Sequence, residues 1–158
     1  MITATESTVI AGASGSGASA ILTPASGSGD AGQITLWTPT LTITSGAGIS
    51  ASTRFGGGNA GDVTGNVDRL VLTTGGQIAS ATRGSGNGGQ VTVNATETVV
   101  MDGRDNGGFR SGLFANTSGS GAGGRITVNA PSASVMLGNG ATLSTISTNT
   151  GRAGNITV

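Results

Sequence analysis

A chain of 158 residues whose seven Arg balance seven acidic residues has no formal net charge, which excludes the broad basic surface that binds DNA or RNA. It has no Cys or His, so disulfides and a zinc site are not expected, and no apolar run approaches the ~20 residues that insert across a bilayer. Thirty-one Gly and only 3% aromatic residues leave too few large side chains for a conventional globular core, whereas recurring Thr and Val favour small-residue strands stacked in register.

The first predicted unit covers residues 2–33, with Ile2 leading its first strand and Ile21 leading its third. The opening "MITATESTVI" lacks the charged start and the apolar middle of a secretion signal. We interpret it as the middle part of a repeat preceded by an added Met. We therefore expect residues 1–158 to be a single β-helix fragment of a longer chain.

Four further units follow at 34–62, 63–90, 91–125 and 126–155, and a last strand covers 156–158. Each begins with an apolar residue after a Gly-rich corner, and these leaders are 29, 28, 35 and 30 residues apart, a period that indicates a solenoid. The first-strand leaders are Ile34, Val63, Val91, Ile126 and Ile156. The third-strand leaders, 13 or 14 residues before the next unit, are Ile21, Ile49, Ile78, Leu113 and Leu143.

Three short signals of alternating apolar and polar residues recur in each unit, as in "ITLW", "LTIT" and "ISAST" of unit 34–62. They predict an all-β, three-faced parallel β-helix of about five coils of 28–35 residues, with coils ~4.8 Å apart and the leaders stacked inside. Gly65 replaces an inward aliphatic, so we expect a thin spot in the core, or Leu36 or Val93 leaning in. The insertion "DGRDNGGFRS", residues 102–111, is predicted to bulge from a corner.

The pattern G-x-G-x-x-G occurs four times, starting at Gly27, Gly56, Gly84 and Gly119. A dinucleotide-binding fingerprint occurs once and opens a helix, whereas each of these stretches leads into a short strand signal. We therefore expect neither a nucleotide nor any other cofactor. The glycines are predicted to form the same corner of every coil, where they permit positive φ and tight bends that exclude a Cβ.

The phrases "GDAGQITL", "SGLFANTSGSGAGGRITVNAPS" and "LGNGATLSTISTNTGRAGNITV" resemble the C-terminal repeats of filamentous-haemagglutinin-like exoproteins, especially the large cyanobacterial ones. The resemblance covers essentially the whole chain. It implies a right-handed parallel β-helix, two-partner secretion through an outer-membrane transporter, and a location outside the cell or on its surface. The implied function is a structural or adhesive shaft without catalysis. Such a segment is expected to associate end to end through unpaired strand edges.

The insertion and the single Trp are the candidates for a binding site, with surface glycans as the expected ligand. Asp102 and Asp105 are the only acids close in sequence, and a Gly-rich loop would hold such a pair too loosely for catalysis. We expect no catalytic and no metal site; incidental Ca²⁺ at Asp102, Asp105 and Asn106 is an open alternative. The candidate binding residues are Trp37, Asp102, Arg104, Asp105, Phe109 and Arg110.

A Thr follows every first-strand leader, which predicts an outward Thr column beside a second column of mostly Asn. Regular Thr can order water, so an ice- or surface-binding solenoid is an alternative function. Trp37 interrupts the array, and stacked Thr and Asn also bond to one another along a column, which favours the shaft. The Thr column is predicted as Thr3, Thr35, Thr64, Thr92, Thr127 and Thr157, and the second column as Thr5, Trp37, Asn66, Asn94 and Asn129.

Overall fold

The computed structural model describes residues 1–12 and 19–158, which form fourteen β-strands and, within those ranges, no helix. Most strands are three to five residues long, as expected for short alternating signals separated by Gly-rich corners. In chain order they are β1 (Ile2–Thr3), β2 (Ser7–Ala11), β3 (Ala20–Leu22), β4 (Ile34–Trp37), β5 (Thr40–Thr44), β6 (Gly48–Ser50), β7 (Val63–Thr73), β8 (Gln77–Ala79), β9 (Gln90–Asp102), β10 (Gly112–Phe114), β11 (Arg125–Asn129), β12 (Ser134–Gly138), β13 (Thr142–Ser144) and β14 (Asn155–Thr157).

The strands form three ladders. The first runs β1-β4-β7-β9-β11-β14 and the third runs β3-β6-β8-β10-β13. The second joins β2, β5, the later halves of β7 and β9, and β12. Because β7 and β9 continue through the first corner, the first two ladders form one bent sheet. All pairs of named strands are parallel, which confirms the predicted all-β solenoid of about five turns.

The predicted inner columns are confirmed in register. Ile34, Val63, Val91, Ile126 and Ile156 follow one another across the first ladder. The five third-strand leaders do the same across the third ladder. The first four of the first-ladder leaders are 0–4% exposed, whereas Ile156 in the outermost strand is 43% exposed. Burial therefore comes from the coils above and below, and cohesion is a property of the interfaces between coils.

The first coil is displaced by two residues from its predicted register. Ile2 pairs with Leu36 and Thr3 with Trp37, so Ile2 is outside the leader column and Thr3 is outside the Thr column. Side chains in a strand alternate with a period of two, so a two-residue shift keeps the same face inward and the sequence pattern cannot detect it. Burial of Ile10 against β5 aligns the second strand, and the short corner before it then fixes β1.

The corner between the second and third strands is a turn with two successive left-handed residues. Side chains with a Cβ rarely adopt this conformation, and Gly supplies it without a steric cost at the second position. The pairs are Ser45–Gly46, Thr74–Gly75 and Asn139–Gly140, with φ between 48° and 85°.

The recurring G-x-G-x-x-G pattern lies at the other glycine-rich corner and reflects a close approach of successive coils. A Cβ on Gly86 would overlap the carbonyl oxygen of Gly58, and one on Gly58 would overlap that of Gly29. Only a residue without a Cβ therefore fits at these positions between the coils. The expectation of positive φ is wrong for most of these glycines, since among the described residues of the motif only Gly27 and Gly56 show it.

Side chains at the same corner connect each coil to the next. The Asp30 carboxylate accepts a hydrogen bond from the backbone N–H of Asn59 at 2.7 Å, and the Asn59 side-chain oxygen accepts one from the N–H of Asn87 at 2.9 Å. Asn87 repeats the contact with the N–H of Ala122 at 2.8 Å. These bonds satisfy backbone donors that the irregular corner would otherwise leave unpaired.

Gly65 is a thin spot in the core, as the sequence predicted. It pairs with Leu36 on one side and Val93 on the other, and a Cβ at Gly65 would meet no described atom within 4 Å. Neither neighbour therefore leans in to fill the space.

Replacing Gly65 by Val is expected to raise the free energy of unfolding by about 1–2 kcal/mol, since it fills the void with an apolar side chain and restrains the unfolded backbone. A denaturant titration measures the change. Gly61→Ala is the contrasting control four residues away, because its Cβ would overlap the carbonyl oxygen of Gly32 and should destabilise the protein. A lower midpoint for Gly65→Val would show that the space is not free.

Candidate functional site

The insertion after β9 forms a small hairpin that folds back on the solenoid instead of bulging freely. Arg104 and Arg110 form an antiparallel bridge at its base. The Asp105 backbone N–H donates to the Phe109 carbonyl at 2.9 Å, and the Asp105 carboxylate accepts from the Phe109 N–H at 2.8 Å. The ring of Phe109 remains 66% exposed.

The two acids of the hairpin face different coils. The Asp102 carboxylate accepts from the Asn139 amide of the following coil at 2.8 Å. Asp105 lies over the corner of the preceding coil, where a Cβ on Gly75 would come within 2.9 Å of the Asp105 Cβ. Buried Ser111 closes the base: its hydroxyl donates to the Asp102 carbonyl at 2.7 Å and accepts from the Gly75 N–H at 3.0 Å. The Asp105 carboxylate therefore stabilises the hairpin itself, whereas the Asp102 carboxylate connects its base to the following coil.

No group of three or more acidic side chains that could hold a metal ion forms within residues 1–12 and 19–158. Of the residues named above for incidental Ca²⁺, Asp102 accepts from the Asn139 amide and Asp105 accepts from the Phe109 N–H. Arg104 extends toward the following coil, where its Nη2 would be 2.5 Å from a Cβ on Gly140. Arg110 is exposed, and its carbonyl accepts from the Gln77 side chain at 3.0 Å.

Two outward columns follow the first ladder. The Thr column is Thr35, Thr64, Thr92, Thr127 and Thr157. The neighbouring column is Thr3, Trp37, Asn66, Asn94 and Asn129, with Thr3 in the place predicted for Thr5.

The three Asn side chains of the second column form an amide ladder. The Asn94 Nδ2 donates to Asn66 Oδ1 at 2.8 Å, and the Asn129 Nδ2 donates to Asn94 Oδ1 at 2.7 Å. An amide has two N–H donors and two lone pairs on its oxygen, so each member keeps capacity for a further partner. Trp37 occupies the next place in the column and is 50% exposed.

A groove with a volume of about 620 Å³ runs beside this ladder, at the corner between the first and second ladders. Its floor is apolar, with Val67 and Ala95 at 6% and 3% exposure. Trp37 lines the groove, but none of residues 102–111 does. Asp102 ends the second-ladder part of β9, so the hairpin begins at the next corner of the coil. The structure thus separates Trp37 from the other candidate binding residues.

A second concavity, of about 660 Å³, lies on the third ladder. Arg54 and Arg83 line it beside Phe55, which is 69% exposed. The two Arg residues follow Thr53 and Thr82, which pair across adjacent coils, so their backbones stack. This surface is therefore cationic, in contrast to the groove at Trp37.

Sequence reasoning missed an inner Thr column three residues beyond the ends of the third-ladder strands β6, β8 and β10. Thr53, Thr82 and Thr117 pair in succession and are 1–2% exposed. The Thr53 hydroxyl donates to the Thr82 hydroxyl at 2.7 Å, and the Thr82 hydroxyl accepts from the Gly84 N–H at 3.2 Å. The last letters of "ISAST", "IASAT" and "LFANT" carry the signal, but Thr is usually assigned to the solvent face.

Comparison with protein-family models, curated proteins and solved structures finds no match to this chain. Among the described residues, no helix has the length and apolar character needed to cross a membrane. The candidate site must therefore be interpreted from its own geometry.

Proposed function

We propose that the chain is a structural and adhesive shaft segment of a larger secreted or surface-exposed bacterial exoprotein. The main support is the register of the inner columns, in which residues about thirty apart lie over one another through about five coils. Parallel backbone ladders then run along the axis, and aliphatic side chains fill the interior. Such a rod holds neighbouring parts of a protein apart and needs no catalytic group.

The cellular setting of this proposal rests on the sequence resemblance to filamentous-haemagglutinin-like exoproteins. In that setting, the full-length protein is exported by two-partner secretion, with an outer-membrane transporter as its partner. The absence of Cys is compatible with export as an unfolded chain.

Self-association of the 158-residue polypeptide tests the proposal. Inner-column residues of the outer coils are partly exposed, with Leu137 at 47% and Ile156 at 43%, and β14 has one unpaired edge. Such edges pair with other strands, so we expect oligomers that lengthen along the solenoid axis as concentration rises. Sedimentation velocity and electron microscopy measure this growth.

Ile156→Lys places a charge at the open end and should suppress the oligomers. Val71→Lys is the control, since Val71 lies half-buried on the outward side of a central strand. Monodisperse monomers of the unmodified chain at high concentration would contradict end-to-end stacking. Loss of association only in the Val71 variant would indicate lateral contacts instead.

A second candidate function, ice or surface binding, is favoured by the register of Thr35, Thr64 and Thr92 on one face. The column is flanked on the same strands by the Asn ladder and by Trp37, so the hydroxyl array is only one residue wide. A freezing-hysteresis assay separates the functions. Hysteresis that is lost in Thr92→Leu would establish ice binding, and a shaft shows none.

A further inference from the structure

We propose that the groove beside Trp37 binds a neutral polysaccharide chain lying parallel to the solenoid axis. This proposal is independent of the shaft function and concerns the side of the rod. The groove receives residues from all five coils, so it is long in one direction and suits an extended polymer. One lining residue per coil, in order along the axis, is Ala4, Trp37, Asn66, Asn94 and Asn129.

The exposed indole supplies the apolar contact. Trp37 is 50% exposed beside a concave surface, although burying it would remove a large apolar area from water. A pyranose ring has one face of C–H groups and a rim of hydroxyls, which matches a flat aromatic ring bordered by polar groups. Trp37 therefore offers a stacking platform at one end of the amide ladder.

The amide ladder supplies polar contacts with a regular spacing. The ladder bonds of 2.7 and 2.8 Å fix the orientation of Asn94 and Asn129, so each amide offers its remaining hydrogen-bonding groups without reorganising. A sugar hydroxyl is both a donor and an acceptor and can use either. Because successive coils are ~4.8 Å apart, the free hydrogen-bonding groups of the amides recur at about the length of one sugar unit in an extended chain.

The charge of the groove selects a neutral ligand. Among the described residues that line it, Asp68 is the only ionisable one, and the Asp68 carboxylate accepts from the Thr96 hydroxyl at 2.6 Å. None of the lining residues within 1–12 and 19–158 is Arg, so this surface lacks the cations that bind sulfated or phosphorylated polymers. A peptide strand is also disfavoured, because strand addition requires a free sheet edge and the central strands that line the groove, β4, β7 and β9, are paired on both sides.

Intrinsic fluorescence tests the proposal directly, because the chain has one Trp and no Tyr. The probes are cellohexaose, xylohexaose, mannohexaose and chitohexaose. We expect at least one to shift the Trp37 emission to shorter wavelength as the ring is covered. Affinity should be at least about tenfold higher for that hexamer than for its dimer, since the longer chain spans more coils.

Calorimetry with the same hexamer compares variants. Trp37→Ala should weaken binding at least about tenfold, and Asn129→Ala, at the exposed far end of the ladder, should weaken it by a smaller factor. Phe55→Ala is the control: it removes an exposed aromatic ring from the third-ladder surface, outside the groove, and should leave affinity unchanged. Circular dichroism establishes that each variant is folded.

No shift with any of the four hexamers would overturn the proposal, as would full affinity in folded Trp37→Ala. Binding of dextran sulfate alone would also overturn it and would direct attention to Arg54 and Arg83. The end-to-end association described above is measured without sugar, so a failure here leaves the shaft function to be judged by its own experiment.

Discussion

Replacing Gly86 by Ala is expected to lower the free energy of unfolding by about 3 kcal/mol, even though the change adds a single methyl group. Gly86 is buried, and a Cβ there would overlap the carbonyl oxygen of Gly58 in the preceding coil. The obstacle is backbone, so no side-chain rotation relieves it. The two coils must move apart, which lengthens hydrogen bonds of the ladders and opens gaps between inner side chains.

Gly29→Ala is the matched control. Gly29 has the same place in the motif one coil before Gly58, and no described atom lies within 4 Å of its Cβ position. Neither Gly29 nor Gly86 has a positive φ, so strain of the backbone is not a factor at either site. Both changes restrict the unfolded chain equally, and this contribution cancels in the comparison.

Chemical denaturation of the two variants and the unmodified chain measures the difference. We expect Gly29→Ala to lie within about 0.5 kcal/mol of the unmodified protein. Equal losses in the two variants would mean that the motif is required for the turn itself, and the close approach of coils would not be its cause.

The inner columns could be predicted because alternation reports burial within a strand, and burial is a local pattern. The structural role of the glycine motif could not be predicted, because the atom that excludes a Cβ at Gly86 belongs to a residue 28 positions earlier. Sequence alone shows that Gly recurs. It does not distinguish a required φ from a close approach.

The candidate site was predictable only in part. The outward column that holds Trp37 follows from the period of two, but the groove beside it depends on how the bent strands β7 and β9 pass the corner. Asp68 forms a bulge there, with its N–H and that of Arg69 both donating to the Pro39 carbonyl, at 2.8 and 2.9 Å. Such an irregularity has no signal in the alternating pattern.

The fold of the insertion could not be predicted from the sequence pattern either. Its length and glycines predicted a loop, whereas the hairpin depends on Ser111 reaching the Gly75 N–H of the preceding coil. Only the axial neighbour makes that bond available. The glycine motif and the insertion were misjudged for the same reason. Both depend on contacts along the axis, which join residues about one coil apart in sequence and leave no local pattern.

Leu72→Ala is expected to cost about 3 kcal/mol, since it removes a fully buried side chain and leaves a cavity between two coils. Leu72 lies between Ile43 and Met101 in the second ladder, so three layers of the core lose contacts. The same substitution at Leu137 should cost less than about 1 kcal/mol, because Leu137 ends this column and is already 47% exposed.

Comparison of Leu72→Ala with Leu137→Ala isolates the contribution of packing between coils, because the residue type, the column and the substitution are the same. Calorimetric or denaturant unfolding gives both values, and hydrogen exchange shows whether the Leu137 variant loosens only β12. Similar losses at the two positions would mean that each coil is stabilised mainly within itself. A large loss confined to Leu72 would show that a coil gains its stability from the coils on both sides, as a shaft built by repetition requires.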